Sequence, residues 1–118
     1  MAYNETQRLT PTVPERTWVD SSIGNAALSY KVTGYDYVNL QLVLDGTWPA
    51  SLVMKVEVSN DNAYWYDPQT AVTFNSTSTA LVTYPIEVLG FDYLRVRVST
   101  SNGSIKIYPL VNGVRQNA

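Results

Sequence analysis

The sequence predicts an all-β protein: an antiparallel two-sheet sandwich of about eight strands, jelly-roll-like, with an extended N-terminal arm. Three observations carry this. Apolar residues recur at every second position through most of the chain after residue 28, which is the periodicity of half-buried strands. Thr, Ser, Asn, Val and Tyr are plentiful while only 15% of residues are charged, a balance that favours strands and turns over helices. One corner motif occurs twice, as GYDY at 34–37 and GFDY at 90–93.

At 118 residues the chain suits one domain, read as an arm over 1–20 and a single sandwich over 21–118. Within the arm, Pro11 and Pro14 forbid a helix and bias Thr10 and Val13 toward extended backbone. Trp18 is the first large anchor. The arm has two readings: a tail pinned near Trp18, or a segment laid on a neighbouring subunit.

The strands follow in order. Tyr30 and Val32 face inward against Lys31 and Thr33. After the corner at Gly34, the residues Val38, Leu40, Leu42 and Leu44 share a face opposite Asn39, Gln41, Val43 and Asp45. Residues 45–50 make a turn, and Leu52, Met54, Val56 and Val58 then point inward. Turn formers crowd 59–69 around three adjacent aromatics. Short strand-like pieces come at 71–74 and 80–84. Ile86 and Val88 lead to the second corner, Leu94, Val96 and Val98 follow it, and TSNG at 100–103 signals a hairpin. The last strand starts at Ile105 and ends near Val111, with Tyr108 and Leu110 outward if its phase survives Pro109.

The repeat aligns without a gap from Tyr30 against Ile86 onward, so each half reads as strand, corner, strand, hairpin, strand. Glycine at the corner offers backbone angles closed to other residues. The aspartate suits a local Asx-type turn, and the tyrosine suits the start of the next strand. Exchange of the first and last strand triplets of a jelly roll would map one sheet onto itself reversed, which is the symmetry expected here.

Chemistry is thinly provided. The chain has no Cys and no His, so thiol nucleophiles, disulfides and the commonest general base and metal ligand are all missing. Asp61 and Asp67 flank aromatics as a glycosidase pair would, and with Asn60 and Asn62 they offer oxygens to calcium. Their setting among turn formers points instead to local turn stabilisation. The expectation is a protein that is not an enzyme and uses no cofactor. A net charge of −2 lacks the basic excess of a nucleic-acid binder. The N-terminus lacks a signal-peptide pattern, and no apolar run approaches the roughly 20 residues of a membrane span. Soluble cytoplasmic synthesis is therefore expected, with neither nucleic acid nor membrane as partner. Sequons at Asn4, Asn75 and Asn102 are what chance supplies in so Asn-rich a chain.

Binding is the better expectation. Arg95 and Arg97 stand outward with Lys55 and Glu57, beside apolar Val43, Val53, Tyr108 and Leu110, a mixture that subunit interfaces favour. With the arm's Pro11, Pro14 and Trp18, the candidate interface is Pro11, Pro14, Trp18, Arg95, Arg97, Tyr108 and Leu110. A second candidate is aromatic. Trp48, Tyr64 and Trp65 could stack on sugar rings, although Tyr64 and Tyr66 share one strand face and Trp65 takes the other. Core or corner packing is the competing reading of these rings.

Four elements over 28–111 carry a resemblance: Gly46-Thr47-Trp48, Ser59 with Asp61, Trp65, and Arg95-Val96-Arg97. In this pattern the chain resembles small β-sandwich virion structural proteins of tailed bacteriophages, of the head decoration or cement type. The resemblance implies a non-enzymatic protein made in the bacterial host cytoplasm and carried on the virion. It implies capsid protein subunits as partners, a homo-oligomeric state, and extended termini reaching across neighbours. The alternative is a carbohydrate-binding module or receptor-binding tail or fibre component, for which a glycan is the partner.

Overall fold

In the computed structural model, which describes residues 3–78 and 81–117, alternation becomes nine strands. They are β1 (Tyr3–Arg8), β2 (Val19–Asp20), β3 (Ala27–Lys31), β4 (Tyr37–Leu44), β5 (Val53–Ser59), β6 (Val72–Phe74), β7 (Val82–Glu87), β8 (Tyr93–Thr100) and β9 (Lys106–Asn117). There is no helix among the described residues. One sheet has the order β1-β9-β4-β7 with β2 also on β9, and the other has β3-β8-β5-β6. All pairings are antiparallel. From β2 to β9 the chain changes sheet at every connection except β5 to β6, which is jelly-roll topology with β1 added at one edge.

The period-two reading places the core. Tyr30, Val38, Leu40, Leu42, Met54, Val56, Val58, Leu94, Val96 and Val98 are all buried between the sheets. Burial also raises the Tyr30 hydroxyl well above the ordinary tyrosine pKa, because its charged form would be desolvated.

Both corners are built alike. The Tyr35 N–H donates to the Val32 carbonyl (3.0 Å) and the Phe91 N–H to that of Val88 (2.9 Å). The third residue of each turn is glycine, with φ of 85° at Gly34 and 89° at Gly90. Positive φ at that position is what a type II turn requires. The corners also exchange bonds, Val32 N–H to the Asp92 carbonyl (2.8 Å) and Val88 N–H to that of Asp36 (3.0 Å). A methyl group at Gly90 would meet nothing within 4 Å. Gly90→Ala is therefore expected to cost about 1–2 kcal/mol from backbone strain alone, measurable as a lower urea midpoint with unchanged m-value.

Several expectations are corrected. The corner aspartates make no local Asx turn: the Asp36 carboxylate accepts from the Gln116 N–H (2.9 Å) and that of Asp92 from the Thr33 hydroxyl (3.0 Å). TSNG is not a hairpin. It arches from β8 in one sheet to β9 in the other, because both sides of β8 are already taken by β3 and β5. The symmetry likewise exchanges the two sheets instead of reversing one, since β3, β4 and β5 match β7, β8 and β9. The pieces expected at 80–84 and 86–88 are one strand, with a register shift opposite Val38 and Leu40 that accommodates Pro85 at the sheet edge. Residues 79 and 80, at the start of the 80–84 piece, and residues 1 and 2 of the arm lie outside the described residues.

Pro109 keeps the phase of β9: it is buried, between half-buried Tyr108 and Leu110. The Ile105 and Val111 carbonyls point away from β4, accepting from Ser21 and Leu9. The Pro109 nitrogen shares that side and so faces the gap between β2 and β1, where no ladder bond is lost.

Candidate functional site

The two outer faces of the sandwich differ in chemistry. On the outside of β3-β8-β5-β6, the outward residues of β8 and β5 make a charged lattice. Register sets Arg95 across from Glu57 and Arg97 across from Lys55. The Glu57 carboxylate accepts from Arg95 Nε (2.8 Å) and from Arg97 Nε (2.8 Å) and Nη2 (3.3 Å). Arg97 Nη1 also donates to Asn25 Oδ1 (3.0 Å). The Trp65 ring lies 4.5 Å from the Arg95 guanidinium carbon, a cation–π stack. Burial pushes the Glu57 carboxyl up, but its bonds to Arg97 and Arg95 outweigh that and hold it below the ordinary glutamate value. The bond to Glu57 in turn raises the Arg97 guanidinium.

The outside of β1-β9-β4-β7 is uncharged over its middle. β4 presents Tyr37, Asn39, Gln41 and Val43, and β9 presents Tyr108, Leu110 and Asn112. Val43 pairs with Tyr108, Asn39 with Asn112, and Gln41 with Leu110 on one side and Val82 on the other. Val43 and Val82 are 39% and 42% exposed. A shallow cleft of about 140 Å³ is lined by Asn39, Gln41, Val82, Leu110, Asn112 and Arg8, the last donating to Asn112.

The residues expected to form one interface are thus divided. Arg95 and Arg97 lie on the charged face, largely committed to Glu57, while Tyr108 and Leu110 lie on the uncharged face opposite. Pro11, Pro14 and Trp18 lie along the side joining the two. Residues 3–20 carry β1, a turn closed by the Arg16 N–H on the Val13 carbonyl (3.0 Å), and β2, and they rest on their own domain. β1 pairs with residues 112–117 of β9, Pro11 bridges Tyr30, and the Thr12 N–H donates to the Ser29 carbonyl (2.8 Å). Pro14 is exposed, and the Trp18 ring lies under Lys106 Nζ at 4.8 Å. Between 13–18 and the approach to β3 lies a cleft of about 550 Å³, walled by Val13, Trp18, Ile23, Ala26 and Ala27.

Of the aromatic candidates, Trp48 lies before β5 and is half-buried against the core, its Nε1–H donating to the Leu52 carbonyl (3.1 Å). Trp65 follows β5 and is half-buried on Arg95, while Tyr64 and Tyr66 are 71% and 61% exposed. Trp48 and Trp65 do not form one platform. Asp61 stabilises the loop between β5 and β6. Its carboxylate accepts from the Tyr64 and Ala63 N–H groups (2.9 Å each) and from the Ser59 hydroxyl, and these bonds lower its pKa. No cluster of three metal-ligating side chains occurs among the described residues.

Sequence reasoning placed Glu57 outward but missed it as the hub of the lattice, although its spacing opposite two arginines was the available signal. It also missed Val82, because the short piece at 80–84 was given no inward and outward faces.

No protein-family model matches the chain, and no curated protein matches it in sequence. Among solved structures it is similar to the SPBc2 prophage-derived protein YomS, with a TM-score of 0.54, 9% identity, and 99% of this chain and 96% of that one covered. It is also similar to CBM86, a low-affinity xylan-binding module of the gut symbiont Roseburia intestinalis, at a TM-score of 0.48 and 10% identity over 96% of both chains. That second likeness is too slight to bear on function. The first is a shared fold over nearly the whole of both chains.

Proposed function

We propose that the chain is a non-enzymatic phage virion structural protein, a capsid decoration or cement protein that stabilises the head by bridging capsid subunits as a homo-oligomer. The observation that carries this is the outer face of β4 and β9, uncharged over its middle. Its Val43, Leu110 and Tyr108 offer apolar area, its amides need only neutral hydrogen-bond partners, and interface cores are likewise depleted in charge and rich in tyrosine. The neighbouring prophage-derived structure adds support, since it shares the fold end to end. In mechanism, the jelly roll is a rigid block, the uncharged face seats it on the shell or a sister subunit, and the charged face turns to solvent.

The test places a charge on that face. Leu110→Glu is expected to keep the fold, since Leu110 points outward, and to abolish self-association in sedimentation velocity and co-purification with virions. Retention of both would overturn the reading.

A second reading has its own observation: Tyr64 and Tyr66 are exposed beside Trp65, as in a glycan-binding or receptor-binding tail or fibre module. On that reading Trp65→Ala loses glycan binding on an array while its thermal unfolding stays cooperative. Equal binding by mutant and parent would rule it out.

A further inference from the structure

We propose that β1 is an exchangeable strand, and that its second seat is the β9 edge of another copy of this chain. β1 is held mainly through its backbone. Its described side chains, Glu5, Thr6, Gln7 and Arg8, are all exposed, so none adds to the core. Among the described side chains, what remains is the backbone ladder to residues 112–117 and three polar contacts. These are Arg8 Nε donating to Asn112 Oδ1 (2.6 Å), the Tyr35 hydroxyl donating to Gln7 Oε1 (3.0 Å), and a loose 3.8 Å pair of Glu5 with Arg115. Ladder bonds with no apolar burial along residues 5–8 let this part of the strand open below the global unfolding free energy.

The hinge is already defined. Pro11 and Thr12 are anchored on β3 through Tyr30 and Ser29, so β1 can leave while the rest of the segment stays in place. Leaving bares the second half of β9, a sheet edge that invites another strand. The strand that fits it in register, with partners for Asn112, Tyr35 and Arg115, is β1 of a second copy. Exchange therefore conserves every contact and changes only which chain supplies it.

Concentration decides between the two seats. A short linker gives β1 an effective concentration of roughly millimolar at its own β9. Dilute chains stay closed, and copies crowded on a surface trade strands. This deepens the proposed structural role and rests on it for the crowding. The test below reads strand exchange alone, so failure of one leaves the other standing.

The chain has no cysteine, which permits a clean trap. Chains carrying Arg8→Cys and chains carrying Asn112→Cys, with different affinity tags, are mixed in a thiol–disulfide buffer. At about millimolar protein in equal amounts, the cross-chain heterodimer is expected to exceed either homodimer well beyond the roughly twofold excess of random pairing, falling back to that ratio at micromolar concentration. A heterodimer that stays at the roughly twofold excess of random pairing at every concentration overturns the proposal. The double variant in one chain checks that the pair closes internally. If it does not, Glu5→Cys with Arg115→Cys is the second pair, read in the same way.

Discussion

Gly113→Ala is expected to lower stability by about 3 kcal/mol and the melting temperature by roughly 10 °C. A Cβ at Gly113 would stand 2.6–2.8 Å from three atoms of the Tyr35 ring, closer than real contacts allow. The ring is buried within the core cluster, with the Arg115 guanidinium 4.5 Å from it and Gln7 accepting from its hydroxyl, so it can shift only by disturbing its neighbours. Displacement of Tyr35 should also loosen β1, so amide exchange at residues 3–8 is expected to speed up more than in the rest of the sheet. Gly24→Ala is the control, since its added Cβ would meet only the Ser101 hydroxyl at 3.9 Å. A Gly113→Ala melt within a degree of the parent would show that the close approach is not a constraint.

The second large effect belongs to Glu57→Gln, expected to cost about 1–3 kcal/mol at pH 7. Breaking a buried pair costs more, but these side chains are 13–23% exposed and water relieves part of the penalty. The sign of the pH dependence follows from the lowered glutamate pKa. Its contribution is complete above the unfolded glutamate value of about 4.3, and it is lost as pH falls through the lower folded value. The stability gap between parent and variant should therefore be flat near neutrality and close in acid. A gap that persists unchanged below that window would mean that packing, and not charge, is what the variant loses.

Much of the fold was legible because the core is built from alternation. Each inward residue of β4, β5 and β8 is apolar, and a one-residue slip would expose the whole set. The corner glycines were legible because only glycine tolerates their φ. β1 was not, since a strand at the sheet edge with every described side chain in water carries no periodic signal. The arch at 100–103 was misread because turn residues announce a reversal without saying which sheet receives the next strand. At the candidate site, alternation placed Arg95, Arg97, Tyr108 and Leu110 outward. Which of two outward faces each occupies depends on sheet order, and that is not local information.

The pairing of the two corners has a consequence for how the molecule comes into being. Each corner closes its own turn, but Val32 is also bonded to Asp92 and Val88 to Asp36, so each repeat satisfies a backbone N–H of the other. β9, the most C-terminal strand, lies inside its sheet between β4 and β1. A nascent chain that has reached β8 can assemble one sheet, but the other has no centre until β9 is synthesised. With so many of its pairings between distant residues, folding is expected to be slow and all-or-none, and to begin in earnest only after translation has passed β9.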